Sequence, residues 1–446
     1  MKSLVVLGGG ESGVGAAKLG LKKGYKVFVS DKGQIKEKYK KVLSNLDLEW
    51  EDGKHDEDRV LAADVVVKSP GIPDAVPLIQ QLKNKGVDVI SEIEFAGRYT
   101  EAKMICVTGS NGKTTTSLWL YHILCKGGLN VGLAGNVGKS LAAQVADENF
   151  DYYVVELSSF QLDGMYRFKA DIAILLNITP DHLDRYEYKM QNYINSKFRI
   201  TQNQTHDDYF IYCGDDRNIE AELSARTLNT QLIPFSIQKN FQGKDAAYLD
   251  NEQLIINYKN QELKMSIYKL ALEGKHNIYN SMASGVAARI LELRKDIVRD
   301  SLTDFQNVEH RMEHVVNVCG IRFVNDSKAT NINSTWYALE SVSDKVVWIV
   351  GGVDKGNDYS ILQEVVKEKV GAIICLGKDN TKIQEAFKGV GIPMAEAGSM
   401  ETAVSIAYQM GQKGDTVLLS PACASFDLFE DYEDRGRQFK EHARAL

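Results

Sequence analysis

The sequence predicts an α/β protein built from three modules of mostly parallel sheet, on three observations. The chain has 446 residues, too many for one hydrophobic core. A strand, a glycine loop and a helix follow one another twice, at residues 4–23 and again at 104–117. From about residue 301 onward, apolar strand-like runs alternate with helical stretches, the pattern of a parallel sheet with crossover helices.

The first module opens on the apolar run 4–7, a glycine-rich stretch 8–15, a helix to residue 23 and a second strand at 25–29, followed at once by Asp31. Gly8-x-Gly10-x-x-Gly13 matches the dinucleotide fingerprint, so this unit is expected to be Rossmann-like. By itself the fingerprint supports a nucleotide diphosphate at a helix N-terminus with a carboxylate near the ribose or base. A nicotinamide-dependent dehydrogenase is one reading of it, but nothing later in the chain looks like hydride chemistry. A strand at 64–68 ends in Ser69-Pro70-Gly71, and the module closes near residue 94.

The second module, 95–300, is expected to be a P-loop ATPase-like parallel sheet. Its strand 104–107 breaks at Thr108 and Gly109, and Gly112-Lys113-Thr114 opens a helix. Such a loop aims backbone N–H groups and the positive end of a helix dipole at one spot, where Lys113 adds a charge and Thr114 a hydroxyl for Mg²⁺. The spacing is shorter than G-x-x-x-x-G-K-[ST], because Val107 stands where the first glycine would be. Glu156 and Asp181-His182 each follow a strand end downstream. A carboxylate at the first place suits Mg²⁺, and His182 is either a loop histidine, a donor or a ligand. Lys197 taken alone reads as a surface lysine on a helix. The third module, 301–446, again Rossmann-like, ends its strands in Asn325-Asp326-Ser327-Lys328, Gly351-Gly352-Val353-Asp354-Lys355 and Ser420-Pro421. Lys328 and Lys355 each stand next to an aspartate, as salt-bridge partners or as cations facing an anionic substrate.

Composition limits the classes of function. A net charge of −7, with 44% hydrophobic and 25% charged residues, speaks against a general nucleic-acid or membrane surface. No apolar run is long enough for a secretory signal or a membrane span. The six cysteines show no metal-ligand spacing and read as reduced thiols, as in the cytoplasm.

The segments Thr108-Gly-Ser-Asn-Gly-Lys-Thr-Thr115, Glu156-Leu-Ser-Ser-Phe-Gln161, Asn177-Ile-Thr-Pro-Asp-His182, Gly274-Lys-His-Asn277, His310-Arg311 and Asp326-Ser-Lys-Ala-Thr-Asn331 run in the order found in the Mur ligase superfamily. The chain resembles that family over essentially its whole length. NDSKATN, with Ser420-Pro-Ala-Cys-Ala-Ser425, resembles the branch that adds D-glutamate; sister ligases and folylpolyglutamate synthetases carry other motifs there.

The resemblance implies ATP-driven amide formation through an acyl phosphate, on the cytoplasmic path to peptidoglycan. The reactants implied are UDP-N-acetylmuramoyl-L-alanine and D-glutamate, with ATP and a pair of Mg²⁺ ions. No nucleic-acid partner, no membrane insertion and a monomer are expected. Ser110, Asn111, Gly112, Lys113, Thr114, Thr115 and Thr116 would take the ATP phosphates, with Asn280, Arg311 and Asp326 on the rest of the nucleotide. Ser12, Asp31, Lys32, Ser69 and Gly71 would hold UDP, while Asn136 and His182 reach the muramoyl-alanine end. D-glutamate would sit against Thr330, Lys355, Ser425 and Tyr432, with Lys328 close to the chemistry. Lys197 matches a lysine that family members carbamylate; as a carbamate it would be an oxygen ligand and, with Glu156 and His182, would hold a second Mg²⁺ besides the one at Thr114 and Glu156. Catalysis would rest on Lys113, Glu156, His182, Lys197 and Lys328. Two positions depart from the family pattern: Lys32-Gly33 after Asp31, and Tyr432 where phenylalanine is expected. A ligase adding a different amino acid remains the alternative.

Overall fold

The computed structural model describes residues 1–305, 309–354 and 356–446. It contains three sheets in two compact units, one formed by Met1–Leu270 with Ile278–Asp304, the other by Ala271–Asn277 with Phe305–Leu446. The α/β class is borne out, since every sheet is dominated by parallel pairs.

The first sheet has the order β3-β2-β1-β4-β5 and is wholly parallel. Its strands are β1 (Ser3–Leu7), β2 (Lys26–Asp31), β3 (Glu49–Asp52), β4 (Val65–Lys68) and β5 (Asp88–Ile90). The order reverses between β1 and β4, so the glycine loop after β1 and the Ser69–Gly71 turn after β4 flank one crevice, where ligands of open α/β sheets bind. Ser69 N–H donating to the Leu7 carbonyl at 2.8 Å holds the two loops side by side.

The second sheet follows with β6 (Lys103–Thr108), β7 (Val131–Gly135), β8 (Tyr152–Glu156), β9 (Ile172–Leu175), β10 (Tyr209–Cys213), β11 (Gln231–Ser236), β12 (Ala246–Asp250), β13 (Gln253–Tyr258) and β14 (Gln261–Ser266). Its order is β14-β13-β12-β11-β10-β9-β6-β8-β7, parallel except for the β12–β13–β14 meander. Strand β6 is again the point of reversal, so its loop lies between the ends of β8 and β9. The apolar run 172–178 predicts a strand reaching residue 178, yet β9 stops at Leu175. Leu176 N–H still bonds the Thr108 carbonyl at the end of β6 at 3.0 Å, whereas Ile178 N–H leaves the sheet for Asp216 Oδ2 at 2.8 Å.

The third sheet comprises β15 (Glu313–Val318), β16 (Ile321–Asn325), β17 (Val346–Val350), β18 (Val370–Leu376), β19 (Met394–Ala397) and β20 (Thr416–Leu419), in the order β15-β16-β20-β17-β18-β19. Periodicity missed the antiparallel edge strand β15 and the short β19. Both are only partly buried edges with mixed polarity. Apolar clusters around Trp348 and around Phe323 cover the two faces of this sheet.

Within the first unit, the helix Glu92–Gly97 joins the first sheet to the second through two buried carboxylates. Glu94 accepts the N–H groups of Tyr166, Arg167 and Phe168 at 2.8–3.0 Å and pairs with Arg98 at 3.1 Å. Glu92 accepts from Ser140 Oγ at 2.7 Å and from Ala142 N–H at 2.6 Å. Its burial outweighs those bonds and pushes its carboxyl up to about 7.

A carboxyl raised in this way stabilises the fold while it is protonated, and that contribution is lost as pH rises from its ordinary value near 4.5 through about 7. Glu92→Gln keeps the acceptor oxygen without the charge. The variant should match the parent in unfolding free energy at pH 4 and exceed it at pH 8 by on the order of 3 kcal/mol, read by denaturant unfolding at each pH. A gap that does not change with pH would show that Glu92 does not titrate in this range.

Candidate active site

The phosphate loop of β6 is the best-defined site in the first unit. Gly112 caps the helix Lys113–Lys126 in a left-handed conformation (φ 84°), and a Cβ there would come within 2.5 Å of Asn280 Oδ1. That close approach brings Asn280, on the helix Lys275–Ile290, against the loop, where it also accepts from the Thr116 hydroxyl at 3.1 Å. Thr114, Thr115 and Thr116 are all buried in the first turn of the Lys113–Lys126 helix.

Backbone donors on such a loop need partners, and the β9 loop provides them. Asn177 accepts the Asn111 N–H at 2.8 Å and returns a bond from Nδ2 to the Asn111 carbonyl at 3.1 Å. Its own carbonyl takes the Ser110 N–H at 3.0 Å. The Ser110 hydroxyl is turned inward, onto Thr179 and the Tyr193 hydroxyl. Ser110, expected at the phosphates, here braces the loop. Asn177 lies within the Asn177–His182 motif, but motif matching alone gives it no role. The signal is a polar residue directly after an apolar strand, beside a glycine loop whose backbone amides need acceptors.

Two lysines meet at one carbonyl. Lys113 Nζ donates to the Gly109 oxygen at 2.8 Å and to the Ser110 oxygen at 2.8 Å, and Lys197 Nζ donates to the same Gly109 oxygen at 2.9 Å and to Thr108 Oγ1 at 3.1 Å. Lys197 is 1% exposed, so it is not the surface residue that its helix position alone suggested. Burial, and then the Lys113 charge, push it far below the usual lysine range and favour the neutral amine.

Glu156, also 1% exposed, ends β8 beside this pair. Its Oε1 accepts from Asn136 Nδ2 at 2.8 Å, while its Oε2 is buried with no partner, and buried carboxylate oxygens seldom stay unpaired. Asn136 is thus locked to the strand end that carries Glu156, its N–H also bonding the Glu156 carbonyl at 2.9 Å. His182 adopts a left-handed backbone (φ 51°) and packs on the Phe160 ring edge with centroids 5.1 Å apart. Among the described residues no three His, Cys, Asp or Glu side chains converge as a ready metal site. The orphaned Glu156 oxygen still fits Mg²⁺, which commonly takes one or two carboxylates and completes its shell with phosphate oxygens and water.

In the first sheet, both oxygens of Asp31 are held by backbone amides, Oδ2 by Gly9 at 2.7 Å and Oδ1 by Gly33 at 2.8 Å. Asp31 therefore shapes the glycine loop. The Gly33 amide is a backbone donor that any residue but proline would supply, so this bond leaves the Lys32-Gly33 departure without a structural explanation. Ser12 lies in the first turn of the helix Glu11–Lys22 that follows the loop. One residue that motif reading missed joins the two sheets. The Arg185 guanidinium lies 4.4 Å over the Phe160 ring and points at the Pro70 and Gly71 carbonyls, both 3.4 Å away.

The second unit carries the remaining candidates. Asp326 accepts from Ser420 Oγ at 3.0 Å and from the Met312 N–H at 3.3 Å, and burial raises its carboxyl to about 7 against the pull of Arg311. Arg311 keeps a buried Nε without a partner. Lys328 Nζ lies 5.2 Å over the Tyr432 ring, so tyrosine offers the lysine the same aromatic face that phenylalanine would. Ser425 is buried at the end of the β20 loop, and Thr330 is half-buried after Lys328. Asp354 is paired with Lys382 at 2.8 Å. Lys355 lies outside the described residues.

Comparison with known proteins agrees with this geometry. Residues 2–91 match the Mur ligase MurD-like N-terminal domain, 107–288 the Mur ligase middle domain and 310–423 the Mur ligase glutamate ligase domain. The chain belongs to the Mur ligase family. Two relatives are named UDP-N-acetylmuramoylalanine--D-glutamate ligase: one from Christiangramia forsetii, 56% identical over 445 residues, and one from Bacteroides fragilis, 57% identical over 447, each covering 100% of both chains. Among solved structures, a UDP-N-acetylmuramate-alanine ligase from Thermotoga maritima shares the fold, with a TM-score of 0.64 at 17% identity and 100% of both chains covered.

Asn177→Ala removes both bonds to Asn111. Nucleoside triphosphate binding, measured by calorimetry, should weaken about tenfold, in line with ~1–2 kcal/mol for two lost hydrogen bonds. Unchanged affinity would mean that the loop holds its shape without that clamp.

Proposed function

We propose that this protein is an ATP-dependent ligase that joins D-glutamate to UDP-N-acetylmuramoyl-L-alanine in the cytoplasm, acting as a monomer on the path to peptidoglycan. The observation that carries the reading is full-length similarity at 56–57% to ligases of that name. The polar loops at the ends of β6, β8, β9, β16 and β20 supply the chemistry such a reaction needs.

The alanine carboxylate attacks the γ-phosphorus of ATP, ADP departs, and an acyl phosphate remains. Both reactants are anions, so catalysis is chiefly charge neutralisation and alignment. The loop 109–114 fixes the phosphates, and Lys113, folded back onto the Gly109 and Ser110 carbonyls, is within a side-chain swing of them. Thr114, Glu156 and His182 would hold Mg²⁺. Bound there, Mg²⁺ neutralises phosphate charge. Lys197 joins this set only after modification: its neutral amine adds CO₂, releases a proton and becomes a carbamate with oxygen donors. The D-glutamate amine then attacks the acyl carbon and expels phosphate, with Lys328, Thr330, Ser425, Tyr432 and Lys355 as its contacts. Arg311 and Asp326 would bind the nucleotide, Ser12, Asp31, Lys32, Ser69 and Gly71 the uridine diphosphate, and Asn136 the muramoyl end.

Phosphate release in the presence of ATP and UDP-N-acetylmuramoyl-L-alanine should require D-glutamate and fail with L-glutamate, L-alanine, L-lysine or meso-diaminopimelate. Preference for another amino acid would move the chain to a sister branch. Oxygen-18 in the alanine carboxylate should appear in the released phosphate, as attack by that oxygen on phosphorus demands. For the carbamate, Lys197→Ala should lose about 100-fold or more in turnover, as expected for a lost metal-site ligand, and small carboxylic acids such as acetate should restore part of it. A folded variant that acetate or formate cannot rescue would count against a carboxylate-like ligand at this position.

A further inference from the structure

Arg435 is among the largest fully buried side chains of the second unit, at 1% exposure, yet no carboxylate of the described residues lies within ion-pair distance of it. Its guanidinium is spent on neutral acceptors. Nε donates to Ser327 Oγ at 3.0 Å, Nη2 to the Ser327 carbonyl at 2.8 Å and Nη1 to the Cys423 carbonyl at 3.2 Å. Burial pushes its ionisation down to about 10. A well-packed apolar side chain would fill this space at lower cost, so the guanidinium calls for a reason beyond packing.

The acceptors supply that reason. Ser327 lies between Asp326 and Lys328 in the loop after β16, and Cys423 lies two residues before Ser425 in the loop after β20. The strands β16 and β20 are parallel neighbours, so both loops leave the same sheet edge. Arg435 is three residues beyond Tyr432, on the same face of the helix Tyr432–Arg444. The first turn of that helix therefore grips the Ser327–Lys328 loop at several points. The Tyr432 ring lies under Lys328, the Tyr432 carbonyl accepts from Ser327 Oγ at 2.8 Å, and the Arg435 fork takes the Ser327 oxygens. Only the third arm of the fork reaches across to the β20 loop. That loop is held from its other side by the Val353 N–H on the Ala424 carbonyl at 2.8 Å and by Asn357 on the Ala422 carbonyl at 3.0 Å.

We infer that Arg435 is a positioning residue for the incoming amino acid, fixing the spacing between the loop that carries Lys328 and the loop that carries Ser425. The inference rests on the D-glutamate reading above. A planar fork is required, because a lysine is a point donor and cannot span Ser327 and Cys423 together. A ligand with two carboxylates and an amine needs its contacts at fixed separation, so a change in the gap between the loops falls on amino-acid affinity first.

The test uses the full-length protein and separate steady-state titrations of ATP, UDP-N-acetylmuramoyl-L-alanine and D-glutamate. Arg435→Lys keeps the charge and removes the fork. The KM for D-glutamate should rise about tenfold, as for a loss of ~1.4 kcal/mol in binding, while the KM for the nucleotide sugar stays within about twofold. A purely structural role would shrink the active fraction, lowering kcat with every KM unchanged, and that result overturns the inference. Equal shifts in all three KM values overturn it as well. If Arg435→Lys does not fold, Ser327→Ala, which removes one acceptor and leaves the carbonyl, is read by the same split, with about a threefold rise expected. Wild-type turnover with D-glutamate is measured first. Failure there refutes the assigned reaction, whereas success there with an unmoved D-glutamate KM in the variant refutes only the role of Arg435.

Discussion

The Gly109 carbonyl is the point on which the candidate chemistry of the first unit depends. Two lysine nitrogens share it, and it lies in a region from which water is largely excluded. Burial first, and then repulsion from the neighbouring Lys113 ammonium, drives the enclosed Lys197 amine toward neutrality. The result is a division of labour between identical side chains. Lys113, half-buried at the helix N-terminus, is suited to carry the charge that phosphates need. Lys197, fully enclosed, is pushed toward the neutral amine and feels the charge of Glu156, whose Oε2 lacks a partner. Neither property belongs to lysine as a residue type. Each follows from where the loop places the nitrogen.

The same principle, side chains used to fix loops before any ligand arrives, recurs in each sheet. Asp31 spends both carboxylate oxygens on the amides of its own glycine loop. Asn177 pairs both ends of its amide with Asn111, and Arg435 divides its fork between two strand-end loops. Backbone approaching this closely also demands glycine: a Cβ on Gly352 would lie 2.1 Å from the Ala424 carbonyl, and φ there is 130°. Loops held in this way lose little further conformational freedom when a substrate binds, so more of the binding energy remains for alignment. The chain carries a net charge of −7 and is read as handling three anionic substrates. Local placement of cations, not overall charge, has to supply the attraction.

Much of this could be read from the sequence because it is written at short range. The strand, glycine loop and helix at 104–117 are contiguous, and the loop geometry follows from Gly112 and the apolar run before it. The carboxylates and lysines that close β8 and β16 stand directly after buried strands, where a polar residue is conspicuous. What escaped was set by partners distant in the chain. Beyond β9 the chain is drawn to Asp216, and the edge strand β15 is set by pairing with β16, not by its own polarity pattern. Arg185 reads as an ordinary charge until the fold brings it to Pro70 and Gly71.

The α/β class, the phosphate loop, the family and the residue types available at each strand end are all legible along the chain, because spacing in sequence sets local backbone geometry. Only the tertiary structure decided which of those residues are buried, paired or left with an open valence. Lys197 on a helix, Glu156 after a strand and Arg435 near the C-terminus are all unremarkable letters. Their ionisation and reach depend on desolvation and on neighbours from other segments, and those quantities exist only once the sheets have assembled.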